Sequence, residues 1–322
     1  MNIAFFEVMK EEEEFLRNKL NGFSVSYFNE TLSLINAKKF RDLESVSVFI
    51  YSKIDKEVLD KMPRLKFIST RSTGFDHIDI EECKKRGIRV CNVPHYGENT
   101  VAEFTFALIL SLTRKMNIAF GKVGKMDFSI EGLKGMDLKN KTLGVIGTGR
   151  IGANVIKIAK SFDMKIIAYD IYQNSELEKN MGFEYVKLPD LLKKSDIITL
   201  HTSYSKESHH MLDKKAFSIM KNGVFIINTT RGGLIDSKSM IEYVNNGKIG
   251  GVALDVFEDE YKLKNNDGVG KVKKTLFNDK IILTPHIAFY TKEAVERINE
   301  KTISNMVSFA GKKQLDKDSV VC

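Results

Sequence analysis

From Leu143 to Asp170 a short apolar run opens into Gly147-Thr148-Gly149-Arg150-Ile151-Gly152, and a second apolar run ends on an acidic residue. Thr142 to Ile146 is β-type, Ala153 to Phe162 is helix-forming and Met164 to Tyr169 is β-type again, so the stretch predicts a βαβ unit. In such a unit Gly147 permits the tight turn, Gly149 lets the backbone approach a pyrophosphate, and Gly152 lets the helix pack close to the strand. The helix, from about Ile151, aims its N-terminal N–H groups at phosphates without needing a basic side chain. Asp170 stands where a carboxylate accepts both ribose hydroxyls of NAD and repels the 2′-phosphate of NADP. NAD is therefore the expected cofactor. A strand–helix turn with accidental glycines is the alternative, and it leaves the pairing of glycines with Asp170 unexplained.

The chain has 322 residues, too many for one ordinary core, and two domains are expected. Apolar residues at 43% and charged residues at 29% fit a folded globular protein and argue against long disorder. Cys83, Cys91 and Cys322 have neither metal-ligand spacing nor a disulfide framework, so a reducing compartment and no metal are expected. Met1 to Lys10 runs into the acidic cluster Glu11 to Glu14 and does not read as a signal peptide, which makes the cytoplasm the expected location. The longest apolar stretch, Phe104 to Leu112, is far too short for a bilayer. The net charge of +8 comes from scattered lysines such as Lys38-Lys39, Lys84-Lys85, Lys193-Lys194 and Lys214-Lys215. Without interleaved aromatic residues they make no nucleic-acid platform, though they can steer small anions.

About a hundred residues precede the glycine turn, and they carry their own alternation of strands and helices. Strands are expected at Ile3 to Phe6, Val25 to Phe28, Val46 to Tyr51, Phe67 to Thr70 and Arg89 to Asn92, with helices between them. Asn99 or Thr100 is expected to cap a long helix reaching about Lys115, a possible link between domains. Beyond Asp170 the alternation resumes, with strands at Ile197 to His201, Val224 to Asn228, Gly251 to Asp255 and Ile281 to Thr284, six in all with the first two. Lys292 to Ala310 reads as an amphipathic helix that returns to the N-terminal domain, and Lys262 to Lys274 reads as a mobile loop. The expected fold is α/β, with two doubly wound parallel-sheet domains. A Rossmann domain, residues 100–291, is inserted into a discontinuous flavodoxin-like substrate domain made of residues 1–99 and 292–322.

Ligands of open α/β sheets bind beyond the carboxyl ends of the strands, which draws attention to Arg231, Glu260 and His286. Arginine clamps a carboxylate with two hydrogen bonds, histidine exchanges a proton near neutral pH, and a carboxylate beside the histidine favours its charged form. With NAD, these parts suit hydride transfer at C2 of a 2-oxo or 2-hydroxy acid. Each residue also has a plainer role: Arg231 paired with Asp236, Glu260 solvated in its acidic run, His286 capping a strand end. His209-His210 reads as a surface turn.

The chain resembles the D-specific 2-hydroxyacid dehydrogenases over nearly its whole length, and within them it is most similar to the NAD-dependent D-lactate dehydrogenases. The resemblance rests on RSTGFDHID at Arg71 to Asp79, GVIGTGRIG at Gly144 to Gly152, NTTRGGLID at Asn228 to Asp236, LDVFEDE at Leu254 to Glu260 and TPHIAFYT at Thr284 to Thr291. It implies that Arg231, Glu260 and His286 are the catalytic residues. It further implies substrate contacts at Thr73, Gly74, Tyr96 and Arg231, and cofactor contacts at Arg150, Ile151, Thr202, Ser203, Thr229, Thr230 and Asp255 beside the glycines and Asp170. A homodimer joined through the cofactor domains is implied as well. His201-Thr202-Ser203 departs from the family's usual His-Val-Pro, and Gly97-Glu98-Asn99 from its usual Ser-Pro. Reductases of larger 2-oxo acids such as 2-oxoisocaproate, phosphoglycerate dehydrogenase and a NADH-sensing co-repressor are the competing readings. Ala288-Phe289-Tyr290 favours an apolar or small substrate group over a phosphate.

Overall fold

The computed structural model describes residues 2–258, 260 and 278–322. The span Lys262 to Lys274, read above as a loop, lies outside the described residues. The chain divides into two units, Met1–Tyr96 with Thr291–Cys322, and Gly97–Tyr290.

The first unit holds β1 (Asn2–Phe5), β2 (Ser24–Tyr27), β3 (Ser45–Val48), β4 (Phe67–Thr70) and β5 (Arg89–Cys91) in the order β2-β1-β3-β4-β5, all parallel. This is the flavodoxin-like order. A sheet covered on both faces needs apolar residues on both, and β1 supplies them by alternation. Ala4 joins one core with Val46, Val48, Ile68 and Val90, while Ile3 and Phe5 join the other with Leu16, Phe67 and Met306. Met306 belongs to the helix Lys292–Ala310, which packs on β4, and Phe309 at its end stacks on Phe67 with centroids 4.3 Å apart.

In the second unit β6 (Thr142–Ile146), β7 (Lys165–Tyr169), β8 (Glu184–Tyr185), β9 (Ile197–Leu200), β10 (Val224–Asn228), β11 (Ile249–Leu254) and β12 (Ile281–Leu283) form one parallel sheet. Its order is β12-β11-β10-β9-β6-β7-β8. Counted from β6, this is the Rossmann order 3-2-1-4-5-6 with a further strand at the far edge, and the order reverses between β6 and β9. The sheet has seven strands instead of the expected six, because β8 is only two residues long and leaves no alternation to detect. The long helix is Glu98–Thr113, and Gly97 occupies its N-cap. Neither Asn99 nor Thr100 caps it: both lie in its first turn, where Asn99 Nδ2 donates to Glu103 and Thr100 is buried. No helix among the described residues is long and apolar enough to cross a membrane.

Candidate active site

The glycine turn sits where the strand order of the second unit reverses. Gly147 has φ +93°, a conformation that a side chain disfavours, and its N–H donates to Tyr169 O at 2.8 Å. A Cβ on Gly152 would stand 2.0 Å from Gly147 O, so the first turn of the helix Arg150–Ser161 can close on the loop only because that atom is missing. Gly149 caps this helix, and a Cβ there would meet nothing within 4 Å. The protein therefore leaves room at Gly149, as a pyrophosphate would require, with Arg150 and Ile151 opening the helix beside it.

Asp170, at the end of β7, accepts from Thr148 N at 2.6 Å and Thr148 Oγ1 at 3.0 Å on Oδ2, and from Tyr172 N at 2.9 Å on Oδ1. Thr148 Oγ1 also meets Tyr185 OH at 2.7 Å, which gives the short β8 a purpose as a brace. Oδ1, which accepts a single bond, keeps lone-pair capacity for a ribose hydroxyl. Glycine turn, open helix start and braced carboxylate together fit NAD.

Thr202 and Ser203 follow β9 and His201. The His201 ring pairs through Nε2 with Thr199 Oγ1 at 2.9 Å, while its Nδ1 is buried without a hydrogen-bond partner. Burial pushes this ring down to about 3 from an ordinary 6.5. The unfolded chain then binds a proton before the folded one, so this contribution to stability is complete above pH ~6.5 and declines as the pH falls towards ~3. Urea denaturation between pH 7.5 and 5 is expected to show stability falling with pH, by at most ~1.4 kcal/mol per unit from this group. His201→Gln should flatten that slope, and an unchanged slope in the variant would assign the acid sensitivity elsewhere.

Arg231, Glu260 and His286 follow the adjacent strands β10, β11 and β12. Arg231 leaves β10 through a turn built by Asn228, whose Oδ1 accepts from Thr230 N at 3.0 Å and Oγ1 at 2.9 Å and whose Nδ2 donates to Arg231 O at 2.8 Å. Arg231 Nη1 in turn donates to Thr230 O at 2.9 Å. Thr229 is buried, with Oγ1 3.2 Å from Thr105 Oγ1. Asp236, the alternative partner for Arg231, accepts from Lys238 N, Ser239 N and Ser239 Oγ and so caps the helix Ser237–Asn245. The Ser239 hydroxyl above all holds its carboxyl below the usual range.

Glu260 and His286 touch. Nδ1 of His286 donates to Glu260 Oε1 at 2.8 Å, and Glu260 Oε2 accepts from Phe257 N at 3.3 Å. This bond fixes the tautomer and leaves Nε2 as the nitrogen for proton exchange. His286 has a left-handed backbone, φ +58°, sparsely populated for a side-chain-bearing residue. The contacts around it hold it there: its N–H is shared between Asp255 O at 2.9 Å and Thr284 O at 3.0 Å. The buried carboxylate of Asp255 accepts from Thr284 Oγ1 at 2.6 Å, Ile287 N at 2.9 Å and Ala288 N at 2.8 Å. Asp255, singled out above as a cofactor contact, therefore also shapes the loop that carries His286. Sequence reading missed that use, although a buried carboxylate before a strand-end loop is its signal. It also missed the bracing by Asn228, Thr148 and Tyr185.

Thr73, Gly74 and Tyr96 belong to the first unit. Thr73 Oγ1 donates to Val93 O at 2.9 Å, Asn92 Nδ2 donates to Thr73 O at 2.7 Å, and Ser72 Oγ donates to Gly74 O at 2.6 Å, so this turn is tightly held. Tyr96 O accepts from Arg297 Nε at 2.7 Å. Among the described residues no group of histidine, cysteine and acidic side chains is arranged to hold a metal ion.

Residues 106–288 match the family described as D-isomer specific 2-hydroxyacid dehydrogenase, NAD binding domain. The chain is 38% identical to an aromatic 2-oxoacid reductase of Clostridium sporogenes, covering 96% of each, and 35% identical to a D-lactate dehydrogenase of Escherichia coli, covering 95% of this chain and 96% of that one. Among solved structures it is similar to the Aquifex aeolicus D-lactate dehydrogenase complexed with NAD and lactic acid, at 39% identity and a TM-score of 0.92, with 99% of each chain covered.

Proposed function

The chain belongs to the D-isomer specific 2-hydroxyacid dehydrogenases, NAD-dependent oxidoreductases, and from that membership we propose that it is a D-lactate dehydrogenase, interconverting pyruvate and D-lactate. The observation that carries the reading is the 2.8 Å contact of Glu260 with His286 in the unit that also holds the glycine turn. NAD, when bound at the glycine turn and Asp170, would supply or accept the hydride at C2. Arg231 clamps the substrate carboxylate and polarises the carbonyl. In reduction Nε2 of His286 gives its proton to the developing alkoxide, and the Glu260 carboxylate stabilises the ring while it carries the charge. In oxidation the same nitrogen takes the hydroxyl proton. Thr73, Gly74 and Tyr96 complete the substrate contacts, and Thr202, Ser203, Thr229, Thr230 and Asp255 complete those to the cofactor.

A larger 2-oxo acid is the second reading, favoured by the likeness to an aromatic 2-oxoacid reductase. Loss of NADH absorbance with pyruvate, 2-oxoisocaproate and phenylpyruvate in parallel, followed by chiral analysis of the product, separates the two. Fast conversion of pyruvate to the D-acid supports the first, and preference for a bulkier acid supports the second. Tight NADH binding with no turnover of any acid would refute both.

We also propose a homodimer formed through the second unit. The helix Met116–Val123 has no buried residue, and Phe120, Met126, Phe128 and Ile130 around it are 69 to 87% exposed. So many neighbouring large apolar side chains support this reading, since patches of this kind are typical of interfaces. Phe120→Asp with Ile130→Asp is expected to halve the mass seen by sedimentation; a wild-type chain that sediments as a monomer would end this reading.

A further inference from the structure

Between Ser203 and the helix Lys214–Ile219 runs a segment whose side chains the mechanism above does not use. His210, with φ +51°, brings Nε2 to 2.7 Å from Oε1 of Glu258, and both side chains are about two-thirds covered, 32% and 30% exposed. The other oxygen of Glu258 accepts from Ser237 N at 3.4 Å. His209 stacks on His210 with ring centroids 3.8 Å apart, and its Nδ1 meets Tyr204 OH at 3.1 Å. His210 N donates to Gly233 O at 2.8 Å. Asp236 also faces His210 and lowers its own pKa partly through it. The pair lies in a turn at the surface, as the sequence suggested, and from it His210 also reaches across to a second loop.

Glu258 lies two residues before Glu260 in the turn that begins at Phe257. The turn rests on Gly232: a Cβ there would stand 2.3 Å from Phe257 C and 2.4 Å from Glu258 N. That packing fixes the turn's height over the Arg231 segment, while the Glu258 side chain fixes its rotation. We propose that His210, acting through Glu258, is a positioning residue that holds Glu260 against His286. The proposal rests on the acid–base reading of Glu260 and His286. A charge-assisted hydrogen bond at 2.7 Å is strong enough to set the turn's orientation, and catalytic groups misplaced by about 1 Å lose rate by ~10²-fold.

Kinetics of His210→Ala, His210→Gln, Glu258→Gln, Glu260→Gln and the double variant His210→Ala/Glu260→Gln test it, each checked for its melting temperature. His210→Ala is expected to lower kcat ~10- to 100-fold with NADH affinity unchanged. His210→Gln, which keeps a donor within reach of Glu258, should recover most of the loss. The double variant should be no slower than Glu260→Gln alone, since both remove one interaction. Should His210→Ala not fold, Glu258→Gln carries the test, with a loss in the same direction. Wild-type kcat in His210→Ala and Glu258→Gln, or losses that multiply in the double variant, would overturn the proposal while leaving the acid–base reading intact. Full kcat in Glu260→Gln would overturn both.

Discussion

His286→Ala is expected to lower the turnover of oxo-acid reduction by ~10²–10⁴-fold while leaving NADH affinity at its wild-type value. The asymmetry follows from where the side chain stands. His286 is carried by the loop after β12 and is bonded to Glu260, whereas the glycine turn and Asp170 lie beyond β6 and β7, across the sheet. Removing the imidazole takes away the proton donor for the alkoxide without touching the backbone that receives the dinucleotide. Fluorescence titration with NADH beside steady-state turnover checks it, and near-normal turnover would remove His286 from the acid–base role.

Arg231→Gln should lower kcat and raise KM for the oxo acid together. In the proposed mechanism binding the carboxylate and polarising the carbonyl fall to one guanidinium, so ground-state and transition-state interactions are lost at once. Two hydrogen bonds between charged groups, at ~1.5–3 kcal/mol each, put the loss in kcat/KM at roughly 10² or more. Lysine is a poor substitute because it lacks the forked geometry. An unchanged kcat/KM would take Arg231 out of the mechanism.

The parts of this fold that were legible in the sequence are those with a period or an obligatory residue. Both sheets declare themselves through apolar runs, and the Rossmann turn through glycines whose absent side chains are needed sterically. What the sequence hid is held by single long-range contacts. Glu184 and Tyr185 look like loop because two residues carry no alternation, yet Tyr185 reaches Thr148. Gly97 took the helix N-cap that Asn99 and Thr100 seemed chemically better suited to fill, since the helix begins at Glu98, two residues earlier than an Asn99 cap implies, and buries Thr100. His210 and Glu258 are 48 residues apart, and nothing local to either names the other. The candidate site follows the same rule: Arg231, Glu260 and His286 are each visible as strand-end residues and a carboxylate beside the histidine is expected from them, whereas the meeting atoms, Glu260 Oε1 and His286 Nδ1, are set only once β11 and β12 lie side by side.

The loop carrying His286 owes its shape to one carboxylate and to backbone N–H groups. Asp255 grips Ile287 and Ala288 by their main chain, which every residue but proline offers alike. The exposed side chains just past the histidine, unlike that of the buried Ala288, can therefore vary without unseating it. Ile287 and Tyr290, 36% and 40% exposed, stand at positions where an evolving lineage could exchange one group for another while the proton donor stayed in register. Separating the hold on the loop from the identity of its side chains makes the proposed catalytic machinery a fixed chassis on which substrate preference can drift by single substitutions.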